Sequence, residues 1–127
     1  MKLLKNKNLW VILSIVVLVG VAFTFIPEPI DTDLEKIGNG QKSVVFIYDP
    51  NLVASNQQAT EISKARDIIG DQANFLLVRF GDPSRESFRS TYQVNPVDLL
   101  FFDEDGELFD RDVAVLSAEA LIEKVAD

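Results

Sequence analysis

The segment from Ser43 to Ile69, SVVFIYDPNLVASNQQATEISKARDII, restricts the possible folds more than any other part of the chain. Val44, Val45, Phe46, Ile47 and Tyr48 form a short, β-rich apolar run, the length of a buried strand and too short for a helix. Asp49-Pro50-Asn51 breaks that run with turn residues. From Leu52 the period changes, and Ala59, Ile62, Ala65, Ile68 and Ile69 recur three or four apart until Gly70 ends the pattern. A strand that feeds a helix asks for a second strand beside the first. Ala73 to Phe80, ANFLLVRF, supplies it, so the chain opens its fold with a right-handed parallel crossover.

The remaining segments extend this unit into a mixed sheet. Gly81-Asp82-Pro83 interrupts the chain, and Pro83 or Ser84 opens a short helix through Tyr92, with Phe88 and Tyr92 on one face. Val97 to Phe102 is a third strand, and Asp103-Glu104-Asp105-Gly106 turns it into an antiparallel edge strand, Glu107 to Val113, whose charges suit exposure. Ser117 caps a last helix with Ala118, Leu121, Ile122 and Val125 as its buried stripe. Ahead of the first strand, Asp31 to Ile37 predicts a short helix with Leu34 and Ile37 facing inward, ended by Gly38-Asn39-Gly40. The expected fold class is therefore α/β, a mixed sheet flanked by helices over residues 43–127, with 27–42 as linker and short helix.

The N-terminal quarter is of another kind. Residues 1–8 are a basic tail, and Leu9 to Ile26 carries no charge over eighteen residues, which as a helix spans about 27 Å, close to the apolar thickness of a bilayer. Lys2, Lys5 and Lys7 precede the run and acids follow it. The positive-inside rule then predicts a single-pass transmembrane helix over 9–26, a signal-anchor with its N-terminus in the cytoplasm, Trp10 at that interface, and a periplasmic or extracellular domain at the cell membrane. A cleaved signal peptide is the competing reading, with Gly20-Val21-Ala22 as the small-residue cleavage site. The apolar run continues through Phe23, Phe25 and Ile26, longer than the roughly 7 to 15 residues of a signal core, which favours the uncleaved anchor. Both readings export the domain. Pro27-Glu28-Pro29 reads as a stiff spacer that lifts it off the membrane.

Composition removes whole classes of chemistry. All twenty Asp and Glu lie at residue 28 or later against nine Lys and Arg, giving that part of the chain a net charge of −11. Such a surface repels nucleic acid and anionic headgroups; simple solubility is the first reading of the charge, and steering toward basic protein patches is the second. There is no cysteine and no histidine, so disulfides, thiolate nucleophiles, imidazole ligands and a Ser-His-Asp triad are all excluded. No cofactor or metal is expected, and only carboxylates, Lys and Tyr remain for acid and base roles. The acidic run Asp103 to Asp112 fails as a calcium loop, because placing Gly106 at the sixth position puts Phe101 at the first. Tyr48 and Tyr92 read as aromatics at the edge of the core.

Three short stretches, Tyr92-Gln93-Val94, Leu99-Leu100-Phe101-Phe102 and Asp105-Gly106-Glu107, carry a family resemblance. With the strand, turn and helix before them, the chain from Ser43 to Val125 resembles the thioredoxin-like domain. The resemblance places the family's two active-site cysteines at Asn51 and Ala54, with Leu52 and Val53 between them, and its cis-proline at Asp98. Pro96 lies two residues earlier, and a shifted loop is the alternative that restores a proline to the site. Thiol-disulfide exchange needs a thiolate, so the family's enzyme activity does not carry over and the domain is expected to be redox-inactive. What the resemblance implies instead is a shallow groove made by Asp49, Pro50, Asn51, Leu52, Val53 and Ala54 with Asn95, Pro96, Val97 and Asp98, which in the family contacts extended polypeptide.

Two functions follow as expectations. One is noncatalytic protein binding by a membrane-tethered domain, as an accessory subunit or assembly factor of a membrane protein complex. The alternative is a chaperone-like polypeptide holder, or an enzyme with Asp49 or Asp98 as general base. Asp49, Asn51 and Asp98 are candidates for a polar site, set against the preference of turns for Asp and Asn. Leu52 and Val53 are either exposed anchors at the groove's tip or core residues of the helix's first turn. Gly20 and its small neighbours fit a contact with another membrane helix, and a solitary anchor fits equally.

Overall fold

The computed structural model describes residues 7–24 and 29–126. Four strands, β1 (Ser43–Tyr48), β2 (Asn74–Arg79), β3 (Asp98–Phe102) and β4 (Leu108–Val113), form one sheet in the order β2-β1-β3-β4. β1 pairs with β2 in parallel and with β3 antiparallel, and β4 closes the far edge antiparallel to β3. The helices are α1 (Lys7–Thr24), α2 (Val53–Ile69), α3 (Glu86–Tyr92) and α4 (Ala118–Val125). The predicted strands are all present; β1 begins one residue earlier than expected, at Ser43, and the other three are one or two residues shorter, the usual scatter at strand ends.

Alternation along the two central strands builds two cores. Val44, Phe46, Leu99 and Phe101 face α2 and α4, where Ile62, Ala65, Leu121 and Val125 meet them. Val45, Ile47, Leu100 and Phe102 face the other way, under Phe88 and Tyr92 of α3 and beside Leu34 and Ile37. All five residues of β3 are buried, whereas β4 alternates between half-buried and exposed, the pattern of an edge strand. A bulge shifts the register, since Phe101 pairs with Asp110 while Phe102 pairs with Leu108. The extra residue is Phe109, whose ring sits 6.3 Å from that of Phe101.

Several expectations need correcting. The buried stripe of α2 is Ser55, Gln58, Ile62 and Ala65, and Ile68 is 67% exposed. At about 100° per residue Ile69 returns to that stripe and Ile68 falls roughly 100° away from it. The short helix expected over Asp31 to Ile37 is a single 3-10 turn, Leu34–Lys36. Asp31 and Asp33 each accept a backbone N–H two residues on, a local bond that competes with helix. Asp31 lies in extended backbone bridged to Leu76 on the outer edge of β2. Pro27 and Glu28 of the expected spacer lie outside the described residues. Pro29 is exposed, with its carbonyl accepting from Arg66 Nη1 at 3.0 Å.

Two glycines set where the hairpin rests. Gly38 and Gly106 both have positive φ, and a Cβ on Gly106 would stand 3.2 Å from the Gly38 Cα. The loop Gly38-Asn39-Gly40 therefore serves as the seat of the β3–β4 turn, sealed by Gly40 N–H donating to the Glu104 carbonyl at 3.1 Å.

α1 occupies most of the predicted transmembrane run, and Phe25 and Ile26 lie outside the described residues. Its large apolar side chains from Trp10 to Leu18 are exposed. Among the described residues, no helix is long and apolar enough to cross a membrane.

Candidate functional site

The turn after β1 is organised by Asp49. Its N–H donates to Ser55 Oγ at 2.9 Å, its carboxylate accepts from Asn51 N–H at 3.0 Å, and its carbonyl accepts from Leu52 N–H at 3.1 Å. Ser55 is fully buried, so the turn is fastened to the first turn of α2 from below. Tyr48 adds a bond from its hydroxyl to Asn56 Oδ1 at 2.9 Å. This leaves Pro50 and Asn51 in solvent and Ala54 half-buried. Leu52 is 39% and Val53 72% exposed. Leu52 stands at the N-cap with extended backbone and makes no capping bond. Leucine is among the poorest residues at that position, so helix stability does not explain it.

Beside the end of β1, the loop Asn95 to Asp98 is closed to backbone pairing. Asn95 N–H donates to Asp98 Oδ2 at 2.8 Å, Val97 N–H to the Ile47 carbonyl at 2.9 Å, and Asp98 N–H to the Asn95 carbonyl at 3.2 Å; Pro96 has no N–H. The Val97 carbonyl accepts from Ala114 N–H at 3.0 Å. Every N–H of the loop is thus occupied within the chain. Val97 itself sits at φ 61°, a left-handed conformation that a β-branched residue adopts only when its surroundings hold it there. The Asn95–Pro96 bond is trans, because the one cis bond among the described residues joins Ala114 to Val115.

The polar cluster expected from Asp49, Asn51 and Asp98 is not assembled. Asp49 closes its own turn on Asn51, while Asp98 is buried and ion-paired with Arg111 at 3.1 Å. Arg111 lies in the acidic segment Asp103 to Asp112, where its charge would offset part of the hairpin's own. Its guanidinium instead crosses the sheet face to the Tyr92 and Gln93 carbonyls at 2.7 and 3.3 Å, where Gln93 ends α3 in a left-handed conformation. The hairpin manages its own charge. Asp103 Oδ1 accepts from the N–H groups of Asp105 and Glu107, and Asp110 pairs with Lys124 of α4. The hydrogen bond from Lys124, with one from the Arg111 N–H, holds the Asp110 carboxyl below its ordinary value. Among the described residues, no three acidic side chains are placed to hold a metal ion.

Two features escaped sequence reasoning. Gln58, fully buried on α2, clamps the backbone of Leu116 from both sides, its Nε2 donating to the carbonyl at 3.0 Å and its Oε1 accepting from the N–H at 2.6 Å. A search for apolar periodicity passes over a buried amide, and only the helical register with Ile62 and Ala65 points to it. The second is a depression at the C-terminal end of β1 and β2 lined by Arg79, Arg85 and Arg89. The spacing of Arg85 and Arg89, one helical turn apart, was its signal.

No protein-family profile matches the sequence, and no curated protein is a significant match. Solved structures do match the fold. A thioredoxin-like protein, Trxlp, from Edwardsiella tarda superposes with a TM-score of 0.65 at 13% identity, covering 78% of this chain and all of that one. A thioredoxin-like protein from Clostridium perfringens gives 0.65 at 15% identity, covering 76% of this chain and 80% of its own. The exposed lipoprotein thioredoxin Etrx1 of Streptococcus pneumoniae gives 0.61 at 16%, covering 69% and 85%. At these identities the likeness speaks to fold alone, and the fold of this chain is thioredoxin-like, without a cysteine anywhere in it.

Proposed function

We propose that this chain is a noncatalytic, membrane-tethered thioredoxin-like domain that binds protein on the extracytoplasmic side, as an accessory subunit or assembly factor of a membrane protein complex. The observation that carries the reading is the pair Leu52 and Val53, exposed at the tip of a turn whose backbone is otherwise tied down. Apolar side chains held rigidly in solvent are what a protein contact uses as anchors. The tether rests on the uncharged run Leu9 to Ile26, the lysines before it and the exposed apolar side chains of α1. One structural neighbour is itself described as an exposed lipoprotein, which supports attachment of this fold outside the cell.

The test replaces Leu52 and Val53 by Asp in the full chain. Val53 lies largely in solvent and Leu52 is 39% exposed, so thermal stability should fall by no more than about 2 kcal/mol, while proteins that copurify in mild detergent extracts from the parent should be lost. Retention of those partners by a well-folded double variant rejects the groove. Mass measurement of the membrane-extracted protein checks the tether, and a mature chain beginning near Phe23 rejects it.

A further inference from the structure

The sheet has two edges, β2 and β4, and the chain closes them by different means. On the outer edge of β2 the chain covers itself, Leu77 N–H donating to the Asp31 carbonyl at 2.8 Å beside the bridge from Asp31 to Leu76. On the other side, no strand among the described residues pairs with β4 beyond β3. Ala114 N–H crosses to the Val97 carbonyl at 3.0 Å, and Asp112 and Asp110 lie opposite Leu99 and Phe101, so alternation turns the N–H groups of Arg111 and Val113 outward. Both are already occupied. Arg111 N–H donates to Asp110 Oδ1 and Val113 N–H to Asp112 Oδ1, each at 2.8 Å. The acceptor is in each case the residue just before, so one arrangement recurs at the strand's own period of two. Asp110 is held there through its other oxygen, which accepts from Lys124 of α4. The edge has need of such cover, because Phe109 and Val113 are exposed on it, and a bare strand with apolar side chains is a template for another strand.

We propose that Asp110 and Asp112 hold β4 closed to pairing with a second copy of this chain. Symmetry selects that occupant. Two copies of one edge strand related by a two-fold axis meet antiparallel and are self-complementary, and outward N–H groups on alternate residues require the axis to pass through a residue. Centred on Arg111, the pair sets Asp110 of one copy against Asp112 of the other; centred on Asp110 or Asp112, it sets an aspartate against itself. Like charges directly opposite destabilise a strand pair. Each aspartate must also surrender the N–H that an incoming carbonyl requires. The bulge at Phe109 breaks the regular edge on one side, so the two aspartates stand on the regular stretch that remains, Asp110 to Val113. The proposal does not depend on the reading given to Leu52 and Val53.

The experiment compares the full chain with Asp110→Ala/Asp112→Ala in zwitterionic detergent, by light scattering over a range of protein concentrations and by amide hydrogen exchange. The double variant should associate at least about tenfold more tightly than the parent, and its Arg111 and Val113 amides should exchange about tenfold more slowly when associated than on dilution. Glu35→Ala with Asp67→Ala removes two charges from exposed positions elsewhere and should behave as the parent. Adding Val113→Pro to the double variant removes one outward N–H, which an edge strand tolerates, and should restore the parent's mass. Asp112→Ala alone leaves Asp110 on Lys124 and should slow exchange at Val113 in the same direction, so the test stands even where the double variant does not fold. Parental mass in both aspartate variants, equal association of the charge-matched control, association that survives Val113→Pro, or association with Arg111 and Val113 left unprotected overturns the proposal.

Discussion

Gln58 offers the sharpest test of how this fold is held together. It is the largest polar side chain with no solvent exposure, and both ends of its amide are engaged by the backbone of Leu116, in the connection from β4 to α4. Gln58→Ala strands the Leu116 N–H and carbonyl, at about 1 kcal/mol or more each, and leaves a gap where the amide was. A loss of about 3 kcal/mol is expected, a large share of the roughly 5 to 15 kcal/mol of a whole domain. Gln58→Leu refills most of the volume and should recover about 1 kcal/mol of that. Gln58→Glu discriminates more finely. A protonated carboxyl can donate to the Leu116 carbonyl and accept from its N–H as the amide does, but a carboxylate cannot donate. Burial raises the folded-state pKa above the unfolded value of about 4.3. The folded state then holds the extra proton, and relative to the parent this variant is most stable below about pH 4 and loses stability as pH rises through the folded pKa. Urea denaturation of the domain Ile30–Asp127, followed by near-ultraviolet circular dichroism at pH 4 to 8, reads all three. The clamp is refuted if Gln58→Leu matches the parent, or if Gln58→Glu differs from the parent by the same amount at every pH.

The same domain, Ile30–Asp127, should fold without residues 1–29, since both cores are built entirely from Ile30 onward; a cooperative urea transition checks this. Installing cysteine at Asn51 and Ala54 should produce one intramolecular disulfide in the folded protein, measured by mass after alkylation, and two free thiols would show the register of the turn to be wrong. Acid should weaken the domain below the ordinary carboxylate range. Hydrogen bonds from Lys36, from Ser84 and from Lys124 hold Asp31, Asp82 and Asp110 below their usual values, so their contribution is present above about pH 3.9 and lost as pH falls through the lowered values. Substituting all three by Asn should flatten the acid limb of the stability curve, and an unchanged limb would assign it to other carboxylates.

The sequence made the framework legible because the framework follows period and punctuation. Val44 to Tyr48 had to be a strand, Gly70 had to end a helix, and Ser117 caps α4 with its hydroxyl accepting from Ala120 N–H. Where reasoning failed, a polar side chain had left its local segment for a distant backbone. Arg111 belongs by sequence to an acidic hairpin and by structure to the end of α3, reaching 18 and 19 residues back. Gln58 reaches 58 residues forward. Such bonds obey no period, and composition gives no sign of them. The turn after β1 was legible in Asp49-Pro50-Asn51, but nothing local reveals that Asp98 faces inward or that Val97 is left-handed.

That last pair decides whether the Asn95 to Asp98 loop can pair with an added strand. The resemblance puts a proline at Asp98, beside backbone presented to substrate peptides, and the obvious repair would be Asp98→Pro. The structure predicts that this repair is harmful. A proline forces the residue before it toward extended backbone, whereas Val97 stands at φ 61° with both its N–H and carbonyl bonded. The substitution also removes the Asp98 N–H from the Asn95 carbonyl, the Asp98 carboxylate from Asn95 N–H, and the partner of Arg111. Arg111 is partly exposed and keeps its two carbonyls, so losing the ion pair falls short of the full cost of a broken buried pair. With the forced backbone change the total should be about 3 kcal/mol. Urea denaturation of the soluble domain measures it, and amide exchange at Asn95 and Val97 should accelerate in parallel. A variant as stable as the parent would mean that the loop already resembles a proline-bearing one and can pair with a strand. If the loss is found, the left-handed valine and the inward aspartate exclude the proline and close the loop's N–H groups to an added strand, so the protein binding proposed above would have to run through the side chains of Leu52 and Val53.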